Sequence, residues 1–175
     1  MKLKTGMEAP DITFPDYNEK PFVLSSLRGS RIILSFYRYA GCPFCQLRYA
    51  ELVDRFGHRD DIKVVAVFQS PNDSIREHAA GVQAPVTVIG DPAERLYKVY
   101  GVDYGFRAWI MGIESAFRFY KSLRMGHRWG KKEGQADRIP ADFLIDEDGI
   151  LRHVYYGKHM DDHMPVEWIE NFLKL

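Results

Sequence analysis

The residues Cys42-Pro43-Phe44-Cys45 sit between two segments of different periodicity, and that placement constrains the fold more than anything else in the chain. Ahead of them, Arg31-Ile32-Ile33-Leu34-Ser35-Phe36-Tyr37 is apolar, β-branched and aromatic, which reads as a buried strand. Behind them, Leu47, Ala50, Leu52, Val53 and Phe56 recur at helical spacing, so a helix is expected over residues 43–57 with Pro43 in its first turn. A strand that feeds straight into a helix puts both thiols at the helix N-terminus. Unpaired N–H groups and the positive end of the helix dipole stabilise a thiolate there, lowering a thiol pKa from about 8.5 to roughly 3.5–7.5. A second thiol one turn on can attack whatever forms on the first, so the pair reads as a redox couple.

Blander readings of the pair fit less well. A structural zinc site needs four ligands, and these are the chain's two cysteines. A purely structural disulfide closing so short a loop removes little chain entropy. Two inert core thiols remain open as an alternative, because free cysteine is often buried.

The remainder of the chain alternates strand and helix. Ile62–Phe68 is expected as a second buried strand, and Ser70-Pro71 as the cap and first position of a helix. Pro85–Ile89 reads as a short strand. Asp91-Pro92-Ala93-Glu94 reads as a capping box opening a helix over 92–100, stopped by Gly101. Residues 141–145 and 150–156 are two strands joined by the turn Glu147-Asp148-Gly149, and an amphipathic helix is expected over 165–174. This order predicts an α/β fold: a central mixed sheet with parallel βαβ units first, a C-terminal antiparallel hairpin last, and flanking helices.

Composition limits the functional classes. A chain of 175 residues that is 46% hydrophobic is expected to form a single domain over 1–175. Its formal net charge of zero gives no global field for nucleic acid or an anionic membrane, and neither is expected as a partner. The first ten residues lack an apolar signal core, and no apolar run approaches the roughly 20 residues of a membrane span. A reducing, cytoplasmic compartment is expected, where a lone Cys-x-x-Cys is more often catalytic than structural. No phosphate-cradling loop is present, so no cofactor is expected. His159-Met160-Asp161-Asp162-His163 falls in the turn before the last helix, where a capping aspartate outweighs a metal site.

Pro140, in Arg138-Ile139-Pro140-Ala141-Asp142-Phe143, stands just before a predicted strand. With a βαβ-borne Cys-x-x-Cys and a terminal hairpin, this resembles the thioredoxin fold. That resemblance implies a cis Ile139–Pro140 bond beside the sulfurs, with Ile139 and Pro140 shaping a substrate groove. The match sharpens along the chain. Gly6-Met7-Glu8-Ala9-Pro10-Asp11, Leu24–Gly29, Ile89-Gly90-Asp91-Pro92 and Tyr100-Gly101-Val102 resemble the AhpC/TSA family. Phe36-Tyr37-Arg38 ahead of Cys42-Pro43-Phe44-Cys45, with Tyr156-Gly157 and Asp162-His163 behind, is similar to that family's peroxiredoxin-like branch.

The departures concern the site. In the peroxiredoxin register counted from Tyr37, Cys45 takes the place of the peroxide-attacking cysteine, Cys42 that of a threonine and Arg38 that of a proline. Pro140 takes the place of the active-site arginine. Arg38 and Arg138 are then the candidate guanidiniums, with exposed arginines as the ordinary alternative.

Residues 104–138 are extra to a minimal thioredoxin and are expected to include a helical insertion. Phe106, Trp109, Ile110, Ile113, Phe117, Tyr120 and Leu123 form one apolar stripe. From 107 to 138 there are eight Lys/Arg against three acids, an excess of five. The stripe either packs on the sheet or forms a dimer or partner surface. Gly126, Gly130 and Gly134 suggest a loop returning toward the dithiol.

The resemblance implies a thiol-dependent oxidoreductase; the helix-start position makes Cys42 the exposed attacking thiol and Cys45 the resolving one, whereas the peroxiredoxin register argues for Cys45 as the attacker. The substrate would be a disulfide or a hydroperoxide, and an external thioredoxin- or glutathione-type thiol would restore the couple. A catalytically idle module binding a partner through 104–138 is the alternative from a different class, and a homodimer is compatible with either.

Overall fold

The computed structural model describes residues 1–78, 85–109, 113–127 and 129–174; the side chains of 107, 113 and 114 lie outside that description, as do Ile110 and Arg128. A short antiparallel pair comes first, β1 (Thr13–Pro15) and β2 (Pro21–Val23), which has too few residues to show period-two patterning in the sequence. Then follow β3 (Arg31–Phe36), α1 (Pro43–Phe56), β4 (Ile62–Phe68), α2 (Asn72–His78), β5 (Thr87–Gly90), α3 (Arg95–Val99), α4 (Ile113–Arg124), β6 (Ala141–Ile145), β7 (Leu151–Tyr156) and α5 (Val166–Leu173).

Among the described residues the main sheet has five strands in the order β5-β4-β3-β6-β7. β3 and β4 run parallel, as do β4 and β5, whereas β6 pairs antiparallel with both β3 and β7. This is the expected mixed sheet of a thioredoxin-type fold. Strand alternation sorts its two faces. Ile32, Leu34, Phe36, Val65, Val67, Phe143 and Ile145 pack with Leu96, Tyr97 and Tyr100 on one side. Ile33, Val64 and Leu144 pack under Leu52 and Phe56 of α1 and Ile169 and Phe172 of α5 on the other. Leu52 and Phe56 thereby fix the C-terminal half of α1 against the sheet.

Local signals were mostly read correctly, with instructive shifts. The Asp91 carboxylate does cap, but it accepts the N–H groups of Arg95 (3.0 Å) and Leu96 (2.7 Å), so α3 starts three residues later than expected. Glu94, at φ 56°, turns the chain into it. Ser70 does not cap α2; its hydroxyl accepts the Ala40 N–H at 2.9 Å and so ties the loop before the cysteines to the end of β4. The β6–β7 turn forms as read, closed by Asp146, whose carboxylate accepts the Ile150 N–H at 2.8 Å.

Candidate active site

The cysteines lie beyond the C-terminal end of β3, where ligands bind in sheets with parallel strands. Cys42 is the N-cap of α1, with extended backbone (φ −85°, ψ 121°), and Pro43 occupies the first turn. The two cysteines lie 3.4 Å apart. Both thiols are buried, which corrects the expectation that Cys42 is exposed.

The two sulfurs have opposite electrostatics. Burial by itself would raise the Cys42 thiol. A hydrogen bond from Cys45, the charge of Arg38, and the N–H groups of Cys45 and Phe44 outweigh it and bring Cys42 down to about 7. Burial, then the adjacent Cys42 sulfur, pushes Cys45 well above the ordinary thiol range. The arrangement favours a thiolate at Cys42 over one at Cys45, with Cys45 as the protonated donor.

Arg38 is the source of the field. It is fully buried, and its Nη1 lies 3.5 Å from Cys42 Sγ and 3.1 Å from Met160 Sδ, while Nη2 donates to the Ala136 carbonyl. Its guanidinium sits over the rings of Tyr39 (5.3 Å) and Trp109 (5.8 Å). Among the described residues no carboxylate comes within ion-pair distance of it. A buried guanidinium requires an anion, and the Cys42 thiolate is the group positioned to be that anion. Arg38 Nε and the Tyr39 hydroxyl are both buried without a hydrogen-bond partner. Burial, reinforced by the Cys42 sulfur, keeps the Tyr39 phenol protonated. Two unused donors thus lie beside a thiolate.

The insertion seals the site. Gly130 N–H donates to the Gly41 carbonyl at 2.8 Å, and the two glycines are so close that a methyl on Gly41 would fall 2.7 Å from Gly130 Cα. The Ser122 hydroxyl of α4 donates to the Pro43 carbonyl at 2.7 Å, and Phe119 stacks near Phe44 at 5.7 Å. Gln69 donates to the carbonyls of Glu133 (2.9 Å) and Gln135 (2.7 Å), pinning the return loop. The loop does return over the dithiol, as its glycines suggested.

The other expected site residues are placed differently. The Ile139–Pro140 bond is trans, since no cis peptide occurs among the described residues. Pro140 gives its carbonyl to the Gly157 N–H at 2.9 Å and faces a cleft lined by Lys2, Tyr104 and Tyr156, to which neither cysteine contributes. The thioredoxin-like cis-proline is therefore corrected: β6 is held by β7 and the Gly157 turn. Ile139 does pack against the cluster containing the cysteines. Arg138 is buried, but its guanidinium is spent on Val102 O (2.8 Å), Gln69 Oε1 (3.1 Å) and Glu94 (2.6 Å), and lies 4.7 Å from the Tyr97 ring. Arg38 alone of the two arginines reaches a sulfur.

A buried carboxylate–imidazole contact behind the site was not foreseen. Asp142 meets His163 Nδ1 at 3.0 Å and accepts the Met164 N–H at 2.7 Å. Burial would raise its carboxyl, yet His163, then Arg48 and Ser35, hold it down to about 2. This pair anchors the 157–165 turn that carries Met160 to Arg38. No metal-ligating group of three or more side chains occurs among the described residues.

The mixed sheet and the helix that starts just after Cys42 make this a thioredoxin fold, and the relatives of the chain are oxidoreductases. The chain belongs to the AhpC/TSA family, whose model matches residues 5–154. It is 24% identical over 174 residues to peroxiredoxin Bcp of Escherichia coli K12, covering 98% of this chain and 96% of that one. The fold is shared with a peroxiredoxin-like protein from Aquifex aeolicus (TM-score 0.71, 16% identity, 99% and 88% of the two chains). It is shared also with a thiol peroxidase from Chromobacterium violaceum (TM-score 0.66, 14% identity, 99% and 88%).

Proposed function

We propose that the protein reduces hydroperoxides through a Cys42–Cys45 dithiol. The observation that carries this reading is the buried Arg38 guanidinium, whose anion is the Cys42 sulfur and whose Nε–H has no acceptor. Cys42 thiolate attacks the distal peroxide oxygen, the O–O bond breaks, and the leaving alkoxide takes a proton to become an alcohol. Arg38 Nε–H and the Tyr39 hydroxyl are the donors available to the oxygens as charge develops on them. Cys42 is left as a sulfenic acid. Cys45 then attacks it, water leaves, and a Cys42–Cys45 disulfide forms; an external dithiol of thioredoxin or glutathione type reduces that bond.

The name of the E. coli relative supports the peroxide class. The trans Ile139–Pro140 bond and the covered dithiol count against the alternative, exchange with an extended disulfide substrate. No described helix is long and apolar enough to cross a membrane, and a reducing cytoplasmic setting suits a couple that must be recycled by thiols.

The test offers one equivalent of hydrogen peroxide, and separately an oxidised peptide disulfide, to the reduced protein in stopped-flow. Peroxide should consume both thiols, one equivalent per chain, much faster than the disulfide does. Preferential reaction with the disulfide would replace this reading by an exchange enzyme. Inertness to both would leave the idle module that binds through 104–138.

A further inference from the structure

Arg38 serves two sulfurs. Its Nη1 lies 3.5 Å from Cys42 Sγ and 3.1 Å from Met160 Sδ, and Met160 is only 2% exposed, packed in the same cluster as the cysteines. The turn that carries Met160 is held from two sides. The Met160 N–H donates to the Ala108 carbonyl at 3.0 Å. The neighbouring Asp161 meets Arg118 at 3.0 Å, from the inward side of α4, while Phe117 and Tyr120 of that helix face solvent. The thioether is therefore fixed on the guanidinium, and the reduction of peroxide by the dithiol gives it no part.

A thioether is a weak hydrogen-bond acceptor, whereas its sulfoxide is polar. The surroundings of Met160 suit the second form. Arg38 Nε and the Tyr39 hydroxyl are buried without partners on and beside the same guanidinium, so an oxygen on Met160 Sδ would enter a site already supplied with donors. Met164 is the contrast. It is equally buried, but among Leu52, Phe56, Ile169 and Phe172, where an added oxygen would meet apolar side chains.

We propose that Met160 is an oxidation site, taking an oxygen atom from a hydroperoxide held by Arg38 once Cys42 and Cys45 are joined in a disulfide. The inference rests on the hydroperoxide reading, because it uses the same entry and the same guanidinium. In the dithiol, the Cys42 thiolate is the better nucleophile and takes the peroxide first. In the disulfide that sulfur has lost its charge, and among the described residues Met160 is the thioether left at Arg38. A lone pair of Sδ attacks the distal peroxide oxygen, the O–O bond breaks, and the proton of the distal hydroxyl passes to the leaving alkoxide. Sulfur is oxidised by two electrons to the sulfoxide, the hydroperoxide is reduced to an alcohol, and no thiol is consumed. Arg38 Nη1 then donates to the new oxygen. After the disulfide is re-reduced, that oxygen competes with the Cys42 thiolate for Arg38, so the chain carries a record of peroxide in excess of reductant, erased by an enzyme of the methionine sulfoxide reductase class.

The test follows each methionine by peptide mass spectrometry. The full chain, its dithiol first closed with diamide, receives about tenfold excess hydrogen peroxide and is quenched with catalase at intervals. Met160 should gain one oxygen about tenfold faster than Met164, and ahead of the exposed Met1, Met7 and Met125. Exposure alone predicts the opposite order, and in urea these methionines should react alike. A chain with Cys42→Ser and Cys45→Ser, which needs no diamide, should keep Met160 first. Arg38→Gln, with its melting transition retained, should bring Met160 down to the Met164 rate. Oxidation of the exposed methionines ahead of Met160, or equal rates at Met160 and Met164, would overturn the proposal. So would a preference for Met160 that survives in folded Arg38→Gln. Rapid peroxide consumption by the wild-type thiols with Met160 inert would refute the oxidation site and leave the proposed function standing. Oxidation of Met160 in a chain whose thiols do not consume peroxide would do the reverse.

Discussion

Replacing Arg38 by Gln removes the buried charge beside Cys42 and keeps a polar, uncharged side chain in its place. The gross Coulomb attraction across 3.5 Å is about 4–5 kcal/mol at an effective dielectric of about 20. Part of that offsets desolvation, and a charge-assisted hydrogen bond contributes about 1.5–3 kcal/mol net. At about 1.36 kcal/mol per pKa unit, loss of the bond should raise Cys42 by about one to two units. The wild-type thiol at about 7 is half ionised at neutral pH; the variant would be roughly a tenth to a hundredth ionised. The pH dependence of iodoacetamide alkylation and of thiolate absorbance should therefore show a midpoint displaced upward by that amount. Peroxide reduction at pH 7 should fall further than alkylation, because Arg38 also faces the oxygens. Arg38→Lys should recover part of both. An unchanged midpoint in a folded Arg38→Gln variant would show that Arg38 does not set the Cys42 thiolate, and the account of the site would fail with it.

Three further outcomes follow from the same geometry. In Gly130→Ala the new methyl would fall 2.8 Å from Gly41 Cα, a backbone atom, so the cover should lift; alkylation of Cys42 should quicken, and urea unfolding should show a loss of about 1–3 kcal/mol. Asp142→Asn removes a buried carboxylate from His163 and should cost about 3–5 kcal/mol in chemical denaturation. In the wild type the Asp142 carboxyl is depressed on folding, so its stabilisation is complete above the ordinary carboxylate range near 3.8 and is lost as pH falls toward about 2, which acid-unfolding curves should show flattened in Asp142→Asn. Pro140→Ala should leave the Cys42 alkylation midpoint unmoved, whereas a proline packed on the sulfurs would shift it.

The fold was legible because its signals are local. Buried runs such as Ile62–Phe68, the Asp146 turn and the strand-to-helix step at Cys42 each state their structure within a dozen residues. The redox pair was legible for the same reason, and Arg38 was a candidate through its place in the peroxiredoxin register, where the family has a proline. What escaped is set by contacts between distant segments. The Gly130–Gly41 approach joins residues 89 positions apart; the glycines suggested a loop returning toward the dithiol, but not which of them would meet Gly41. The apolar stripe of 104–123 was visible, but periodicity states that a helix has two faces and not which one meets the protein; Ser122 and Arg118 decided that. His163 was weighed as a metal ligand from its place in the His159–His163 cluster, since its actual partner, Asp142, lies 21 residues away on β6. Pro140 misled because the residue type is shared with thioredoxins, while the backbone around it follows the Gly157 turn.

The claim that organises the site is that Cys42, not Cys45, is the attacking sulfur, although the peroxiredoxin register favours Cys45. Cys45→Ser and Cys42→Ser, each reduced and given one equivalent of hydrogen peroxide with dimedone, separate the two by mass spectrometry of the labelled peptide. The account predicts rapid sulfenic-acid labelling at Cys42 in Cys45→Ser and little at Cys45 in Cys42→Ser. Rapid labelling at Cys45 in Cys42→Ser, with Cys42 inert in the other variant, would contradict it.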